Sequence, residues 1–324
     1  MRRPVLPRRL RRPRLLIVGC GDVGQRIAGL LGSRWRVFGT ARSKATADEL
    51  RRLGIQPVTA DLDHRRTLAR AAGLAHWTLY LAPPPNTGAA DPRLGHWLTA
   101  HGAAQAKRAG TSKPSPRLVY MSTTGVYGDR AGGWVSETTP VQPTTPRAKR
   151  RVDAEQQIRQ AIKRGRPGGR LGRRPGRPTS LQANILRVPG IYAAERLPEE
   201  RLRNRLPVAD GTGDGYTNHI HADDLARLTV LGLMRMRSGR VFNTVDQSDL
   251  TTGQWLDLVA NTLGLPPPPR VPKAELAQYL TPMMLSFLSE SRRIDGRRAL
   301  RELRASLRWP TVEDFLKSYS ARRI

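Results

Sequence analysis

The segment Leu15-Leu-Ile-Val-Gly-Cys-Gly-Asp-Val-Gly24 decides the fold, because four consecutive apolar residues run directly into a glycine-rich turn. A short, continuously apolar run is typical of a strand that is buried on both faces in a parallel sheet. The pattern Gln25-Arg-Ile-Ala-Gly-Leu-Leu31 then predicts a helix, and Trp35-Arg-Val-Phe-Gly39 predicts a second strand. The chain therefore starts with a predicted strand–helix–strand unit whose glycines lie at the first strand-to-helix turn.

The same alternation continues along the chain. Further strands are predicted near 57–60, 77–82, 117–121, 184–188 and 240–242, and helices near 47–53, 65–72, 94–109, 148–163, 224–236 and 253–263. Strands that alternate with helices predict an α/β fold with a doubly wound, mostly parallel sheet of the Rossmann type. We expect residues 14–188 to form the Rossmann domain. Residues 189–324 are expected to contribute a small C-terminal substrate lobe, with 218–246 returning to the sheet.

The chain is strongly basic, since its 324 residues carry a formal net charge of +30. Residues 1–14 hold seven arginines and no acid, and Lys163–Arg177 holds another seven basic residues without an acid. Both stretches are rich in Pro or Gly, which predicts a disordered basic tail over 1–13 and a solvated loop over 163–178. Binding of nucleic acid or another polyanion through these segments is an alternative function. It is disfavoured because neither segment interleaves aromatic residues for base stacking.

Composition also limits where the protein works. The single cysteine, Cys20, excludes an internal disulfide and a zinc site built from several cysteines. No apolar run approaches the ~20 residues that cross a bilayer. Arg and Pro interrupt the start of the chain, where a secretory signal needs an apolar core. The sequence therefore predicts a cytoplasmic protein without a membrane span, and it leaves the oligomeric state open.

The first glycines have the spacing of a dinucleotide-binding fingerprint. Gly19 is expected to permit the tight turn, Gly21 to let the backbone approach a pyrophosphate, and Gly24 to let helix and strand pack closely. The N-terminus of the following helix offers N–H groups and a partial positive charge to the phosphates. We therefore predict that Gly19, Gly21, Asp22, Val23 and Gly24 contact the cofactor.

The residues after the second predicted strand favour NADP over NAD. An acidic residue about 20 positions after the glycines commonly holds the ribose of NAD, but Thr40-Ala-Arg-Ser-Lys44 contains none. A guanidinium binds a 2′-phosphate bidentately. Arg42 is therefore the predicted ligand of a 2′-phosphate, and NAD is the alternative cofactor.

These features and several later motifs resemble the extended or atypical short-chain dehydrogenase/reductase superfamily, specifically its NAD-dependent epimerase/dehydratase-like proteins. The resemblance runs from about Arg14 to the C-terminus. Besides the glycines it rests on Asp61-Leu62, Leu81-Ala-Pro-Pro84, Ser122-Thr-Thr-Gly-Val-Tyr-Gly128 with Glu137, Leu186-Arg-Val-Pro-Gly-Ile-Tyr192 and His219-Ile-His-Ala-Asp-Asp-Leu225.

The resemblance implies an oxidoreductase or epimerase that acts on a small polar or sugar-like metabolite by hydride transfer. Thr123 corresponds to the superfamily's Ser/Thr that hydrogen-bonds the reacting oxygen, and Asp61 to a residue beside the adenine. Thr124-Gly125 follows Thr123, where the sugar-nucleotide 4,6-dehydratases carry Asp-Glu, so that subgroup is disfavoured. The further cofactor contacts that the resemblance implies are Leu62, Leu81, Ala82, Pro83, Arg151 and Pro189.

The chain departs from the superfamily at the Tyr and Lys that normally complete the catalytic site. Aligning on Glu155 places Arg147 at the Tyr position and Arg151 at the Lys position. Arg151 can retain the ribose contact, since positions i and i+4 share a helix face, but Arg147 cannot exchange a proton near neutral pH. Either Tyr127 supplies the phenol from its loop, or the protein binds the dinucleotide without the usual redox chemistry. For Tyr127, a packed aromatic ring with a bonded hydroxyl is the competing interpretation.

The run from His219 to Asp224 combines imidazole and carboxylate groups, which are common metal ligands. The same run resembles the superfamily element in which a strand turns into a helix that Asp caps. No metal is predicted here, because the third and fourth ligands of a coordination shell are not visible in the sequence.

Overall fold

The computed structural model describes residues 12–106, 115–165 and 181–321. Most of the basic tail predicted over 1–13, and most of the loop predicted over 163–178, lie outside the described residues. No helix within the described part of the chain is long and apolar enough to span a bilayer. The strands in chain order are β1 Arg14–Val18, β2 Arg36–Ala41, β3 Gln56–Thr59, β4 Trp77–Tyr80, β5 Arg117–Thr123, β6 Trp134–Val135, β7 Gln182–Val188, β8 Gly190–Tyr192, β9 Val208–Ala209, β10 Tyr216–Thr217, β11 His219–His221, β12 Val241–Asn243, β13 Leu250–Thr251, β14 Arg270–Val271 and β15 Arg293–Ile294. The helices are α1 Asp22–Leu31, α2 Lys44–Arg52, α3 Leu68–Ala72, α4 Pro92–Ala106, α5 Pro146–Gly165, α6 Glu199–Arg203, α7 Ala222–Met234, α8 Thr252–Leu263, α9 Pro282–Leu288, α10 Arg297–Glu302 and α11 Val312–Ser320.

A seven-stranded sheet organises these elements. Its strand order is β12-β7-β5-β4-β1-β2-β3, and every neighbouring pair is parallel. From β1 the chain adds β2 and β3 on one side of that strand, and it then crosses over to add β4 on the other side. Ligands of open α/β sheets bind at such a reversal, outside the carboxyl ends of the strands. The doubly wound parallel sheet predicted from the sequence is confirmed.

Alternate residues of each central strand face two different cores, because side chains alternate across a sheet. In β1, Leu15 and Ile17 pack with α1 and α7, whereas Leu16 and Val18 pack with α3, α4 and α5. All four side chains are fully or almost fully buried. The continuous apolar run in the sequence therefore reflects a strand that is covered by helices on both faces.

A separate apolar cluster lies in the C-terminal half, built mainly from β8, α6, α8 and α11. At its centre, Tyr192 packs against Trp255 and Phe315, with ring centroids 5.9 and 5.3 Å from its own. Residues 218–246 lead back from this cluster: β11 pairs with β8, α7 packs against α1, and β12 forms the edge of the sheet. The cluster thus faces the sheet across the loops that follow β1, β5 and β7.

The turn after β1 has almost no space around Gly19. This residue has φ +83°, a conformation that L side chains rarely adopt. A Cβ atom there would lie 2.6 Å from the Ala82 nitrogen and 2.7 Å from the Ala82 Cα. A Cβ on Gly24 would lie 3.1 Å from Ile17 Cγ2, so this glycine lets α1 pack closely on β1.

We expect Gly19→Ala to lower the free energy of unfolding by more than about 1 kcal/mol, because it combines a positive φ with a clash against backbone. Urea denaturation followed by circular dichroism measures this change. Gly29→Ala is the matched control, since a Cβ there meets nothing within 4 Å and alanine favours a helix. Equal stabilities of the two variants would contradict this account of the turn.

Candidate dinucleotide and substrate site

A cleft of about 600 Å³ opens at the carboxyl ends of the central strands. Its volume lies in the range of small-molecule sites in proteins. One wall is formed by the turn after β1, the end of β5 and the start of α5, and the other by the C-terminal half. Nine residues predicted from the sequence line it together: Gly19, Gly21, Asp22, Val23, Gly24, Leu81, Thr123, Arg151 and Pro189.

The remaining predicted cofactor residues lie outside this lining. Ala82 is buried against Gly19, and the carbonyl oxygen of the exposed Pro83 accepts a long hydrogen bond of 3.4 Å from Arg93. Arg42 is exposed directly after β2. Asp61 and Leu62 follow β3, the next strand of the sheet. A hydrogen bond of 2.8 Å with His64 lowers the pKa of Asp61, which keeps its carboxylate charged.

The turn from β1 into α1 leaves room for a ligand against its backbone. A Cβ on Gly21 would meet nothing within 4 Å, although the neighbouring Gly19 has no such space. No side chain caps the N-terminus of α1. The Gly19 amide is held by the Thr40 hydroxyl at 3.0 Å, which fixes the turn against β2. Exposed N–H groups beside an open glycine form a phosphate-binding arrangement.

Asp22 would place a carboxylate beside such a phosphate, but two arginines neutralise it. Its oxygens accept hydrogen bonds or ion pairs from Arg26 at 2.8 Å and from Arg196 at 2.9 Å. Arg26 also pairs with Asp223 at 2.5 Å and with Glu195. This network joins α1 to α7 and to the turn after β8, so it also holds the two walls of the cleft together.

The side chains that the sequence predicted for the reaction, apart from Tyr127, lie near the end of β5. Arg151 donates to the Met121 carbonyl oxygen at 2.7 Å and to the Tyr120 hydroxyl at 2.9 Å. These bonds hold its guanidinium near Thr123, whose hydroxyl accepts from the Gly125 amide at 3.2 Å. Arg147 lies one turn earlier on α5 and stacks over the Phe287 ring at 4.0 Å. Both guanidinium groups therefore line the cleft beside Thr123.

A buried ion pair fixes α5 against the sheet. Glu155 receives two hydrogen bonds from Arg187, at 3.0 and 2.7 Å, and one from the Ser122 hydroxyl at 2.8 Å. Glu155 and Arg187 are both almost fully buried. Since a bidentate pair is geometrically specific, it orients the helix face that carries Arg147 and Arg151. The sequence pattern gave no sign of this contact, because Glu155 and Arg187 lie 32 residues apart along the chain.

Tyr127 lies away from the cleft and is fully buried. Its hydroxyl donates to Asn243 Oδ1 at 2.7 Å, and the Arg187 guanidinium lies 4.8 Å from its ring centroid. Burial raises the pKa of this phenol. Glu137 accepts a hydrogen bond from the Asn243 amide at 2.9 Å. The Val-Tyr-Gly motif and Glu137 therefore connect the loop after β5 to the edge strand β12. Of the two interpretations of Tyr127, the packed aromatic ring with a bonded hydroxyl fits this geometry.

The histidines and aspartates of 219–224 have separate partners. His221 Nδ1 accepts from the Asp223 amide at 3.1 Å and so caps α7. Asp224 accepts from the Arg308 and Trp309 amides at 2.8 and 2.9 Å, which anchors the C-terminal segment. His219 lines the cleft, where burial lowers its pKa to about 4, so it is neutral at physiological pH. Among residues 12–106, 115–165 and 181–321, no three His, Cys, Asp or Glu side chains are grouped so that they could hold a metal.

The sequence predicted a C-terminal substrate lobe, but it did not predict which of its side chains line the cleft. Most of them come from short helices and irregular segments that carry no periodic signal. The lining side chains of this lobe include Arg196, Arg201, Tyr216, Trp255, Phe287, Glu290 and Arg292.

No family model matches the chain, but curated proteins are similar to most of it. Protein YeeZ of Escherichia coli strain K12 is 25% identical over 264 residues, which cover 79% of this chain and 85% of that protein. A 3-diazoavenalumate denitrifying reductase of a Streptomyces species is 28% identical over 312 residues, which cover 91% of this chain and 95% of that protein.

Solved structures match the fold over nearly the whole chain. A functionally unknown conserved protein from Silicibacter pomeroyi DSS has a TM-score of 0.74 at 28% identity, with coverage of 96% of this chain and 99% of that one. DesIV, a dTDP-glucose 4,6-dehydratase from Streptomyces venezuelae solved with NAD bound, has a TM-score of 0.70 at 19% identity, with coverage of 96% and 98%. The resemblance to the NAD-dependent epimerase/dehydratase-like proteins is thereby confirmed in the fold.

We expect Tyr127→Phe to lower the free energy of unfolding by about 1–3 kcal/mol, because Asn243 Oδ1 is then left buried without its donor. Chemical denaturation measures this loss. Dinucleotide affinity of the folded variant is expected to equal that of the wild type, since the hydroxyl does not reach the cleft. A variant of unchanged stability that loses turnover would instead identify Tyr127 as the proton donor.

Proposed function

We propose that the protein binds a nicotinamide dinucleotide, NADP in preference to NAD, and is an oxidoreductase that acts on a small polar metabolite. The observation that carries the proposal is the turn after β1, in which an open Gly21 and an uncapped helix N-terminus face the cleft that also contains Thr123 and Arg151. The NAD bound by DesIV and the reductase activity in the name of the Streptomyces relative support the same class.

The residues present fit such a cofactor, part by part. The first turn of α1 and the Gly21 backbone would hold the diphosphate. Arg42, exposed after β2, would hold a 2′-phosphate, and Asp61 after β3 would lie beside the adenine. Arg151 would hold the nicotinamide ribose, with Thr123 beside the reacting carbon. When bound, the cofactor supplies or accepts the hydride.

The chain's own contribution to the reaction is electrostatic. As a carbonyl carbon of the substrate is reduced, negative charge develops on its oxygen. The Thr123 hydroxyl can donate to that oxygen, and the Arg147 and Arg151 guanidinium groups place positive charge at the same wall of the cleft. Fixed donors and charges aimed at a developing oxyanion are a major source of catalysis. We propose that the proton reaches this oxygen from water, because a guanidinium keeps its proton near neutral pH.

A second candidate function is dinucleotide binding without turnover. At the position where the superfamily carries a proton-donating phenol, this chain is predicted to carry Arg147, whose guanidinium does not exchange protons near neutral pH. This difference favours binding without turnover. Oxidation of bound NADPH by small carbonyl compounds, followed at 340 nm, separates an oxidoreductase from a binding protein. We place either activity in the cytoplasm.

We expect Gly21→Val to weaken NADPH binding at least about tenfold, because its side chain fills the space that the diphosphate needs. Gly21 has φ −84° and ψ −158°, which a valine also adopts, so the fold is expected to be preserved. Isothermal titration calorimetry measures the affinity. Gly29→Ala, on the exposed face of the same helix, is expected to bind like the wild type. If both variants bind NADPH equally well, the turn is not the cofactor site.

Arg42→Ala is expected to weaken NADPH binding about tenfold and to leave NADH binding unchanged. A charge-assisted bond to the 2′-phosphate contributes roughly 1.5–3 kcal/mol, and only NADPH carries that phosphate. Titration of each nucleotide gives the two affinities. Arg52→Ala is the control, because Arg52 is also exposed but lies at the far end of α2. An unchanged ratio of the two affinities would remove the preference for NADP.

A further inference from the structure

The cleft carries an excess of positive charge beyond what the cofactor explains. Five arginines line it, namely Arg147, Arg151, Arg196, Arg201 and Arg292, and its two carboxylates are Asp22 and Glu290. Both carboxylates already have partners: Asp22 pairs with Arg26 and Arg196, and Glu290 accepts from Arg292 at 2.7 Å and from the Thr144 hydroxyl at 2.5 Å. The remaining positive charge is therefore not balanced by groups of the cleft itself.

Arg201 is a partly buried arginine of the cleft that has few hydrogen-bond partners. It lies on α6, is mostly buried and reaches the cleft from the C-terminal half. Its Nη2 donates to the Pro207 carbonyl oxygen at 3.2 Å, whereas its Nε is buried without a hydrogen-bond acceptor. Across the described ranges, no carboxylate lies within 4.0 Å of its guanidinium.

Asp214 is the carboxylate whose charge affects the pKa of Arg201, but it already accepts hydrogen bonds from another part of the chain. Asp214 accepts from the Gly253 amide with both oxygens, at 3.1 and 2.9 Å, and so satisfies the first turn of α8. Burial lowers the pKa of Arg201, and the charge of Asp214 only partly opposes this effect. A guanidinium taken out of water without a counter-ion costs free energy unless an anion compensates it.

We propose that Arg201 binds the anionic group of the substrate, and that the substrate is a small organic anion carrying a carboxylate or a phosphate. This inference rests on the proposed function, because the substrate would extend from Arg201 on one wall to Thr123 and Arg151 on the other. The planar guanidinium fork matches both oxyanions. Arg201 would thereby select the substrate and position its reacting carbon.

Four probes test the charge preference: 4-hydroxybenzoate against its neutral amide, and UDP against uridine. Each is titrated calorimetrically into the NADP-saturated protein in a phosphate-free buffer. We expect at least one anion to bind at least about tenfold more tightly than its neutral counterpart. The first pair reports a carboxylate and the second a diphosphate, so the two sources of the anion are distinguished.

Arg201→Gln is expected to reduce this preference to less than about twofold, with NADP binding unchanged. Arg203→Gln is the matched control, since Arg203 lies on the same helix, points to solvent and pairs with Glu199 at 2.6 Å. The proposal is overturned if neither anion is preferred, if Arg201→Gln keeps the preference, or if that variant loses NADP affinity instead. NADP titration of the wild type reports separately on the proposed function.

Thermal unfolding of the ligand-free protein gives an independent measurement. We expect Arg201→Met to raise the Tm by about 2 °C or more, because it removes a desolvated charge and keeps the aliphatic contacts. Arg203→Met is expected to leave the Tm within about 1 °C of the wild type. A Tm of Arg201→Met below that of Arg203→Met would show that the guanidinium is structural, and would overturn the proposal.

Discussion

The structure depends on the close approach of the Gly19 backbone to Ala82 at the ends of β1 and β4. At this point the chain order of the sheet reverses, so the loops that follow β1 and β4 separate to opposite faces. A Cβ at Gly19 would lie within 3 Å of three Ala82 atoms, and the turn is therefore held by contact between backbones. The open space at Gly21, two residues later, exists because this turn directs α1 away from β4.

Charge pairing joins the two walls of the cleft in the same way that apolar packing joins strands and helices. Arg26 and Arg196 link α1 to elements that come from far along the chain, and both use the carboxylate of Asp22. Asp22 and Glu155 each pair with two arginines. The Glu155–Arg187 pair follows the same rule inside the core, where an unpaired charge would be costly. In the described part of the chain, Arg201 has no carboxylate within 4.0 Å of its guanidinium.

The sequence predicted the glycine turn and Thr123 because both depend on local spacing. The turn needs glycine at defined positions, and Thr123 directly ends a strand, so its place at the carboxyl edge follows from the sheet alone. Tyr127 lies only four residues further, but its environment depends on Asn243, which is more than a hundred residues away. Whether its phenol faced a ligand or the core was therefore a question of tertiary packing, and spacing along the chain carried no information about it.

The sequence by itself determined the main alternation of strands and helices, the parallel sheet and the position of the glycine turn, because periodicity and glycine conformation act over a few residues. It also placed Arg147 and Arg151 one helical turn apart, where they share a helix face. Only the tertiary structure decided which side chains form the second wall of the cleft and which cations there have counter-ions. Those properties depend on contacts between segments such as 22–26 and 195–196, whose distance in space is set by the packing of the whole molecule.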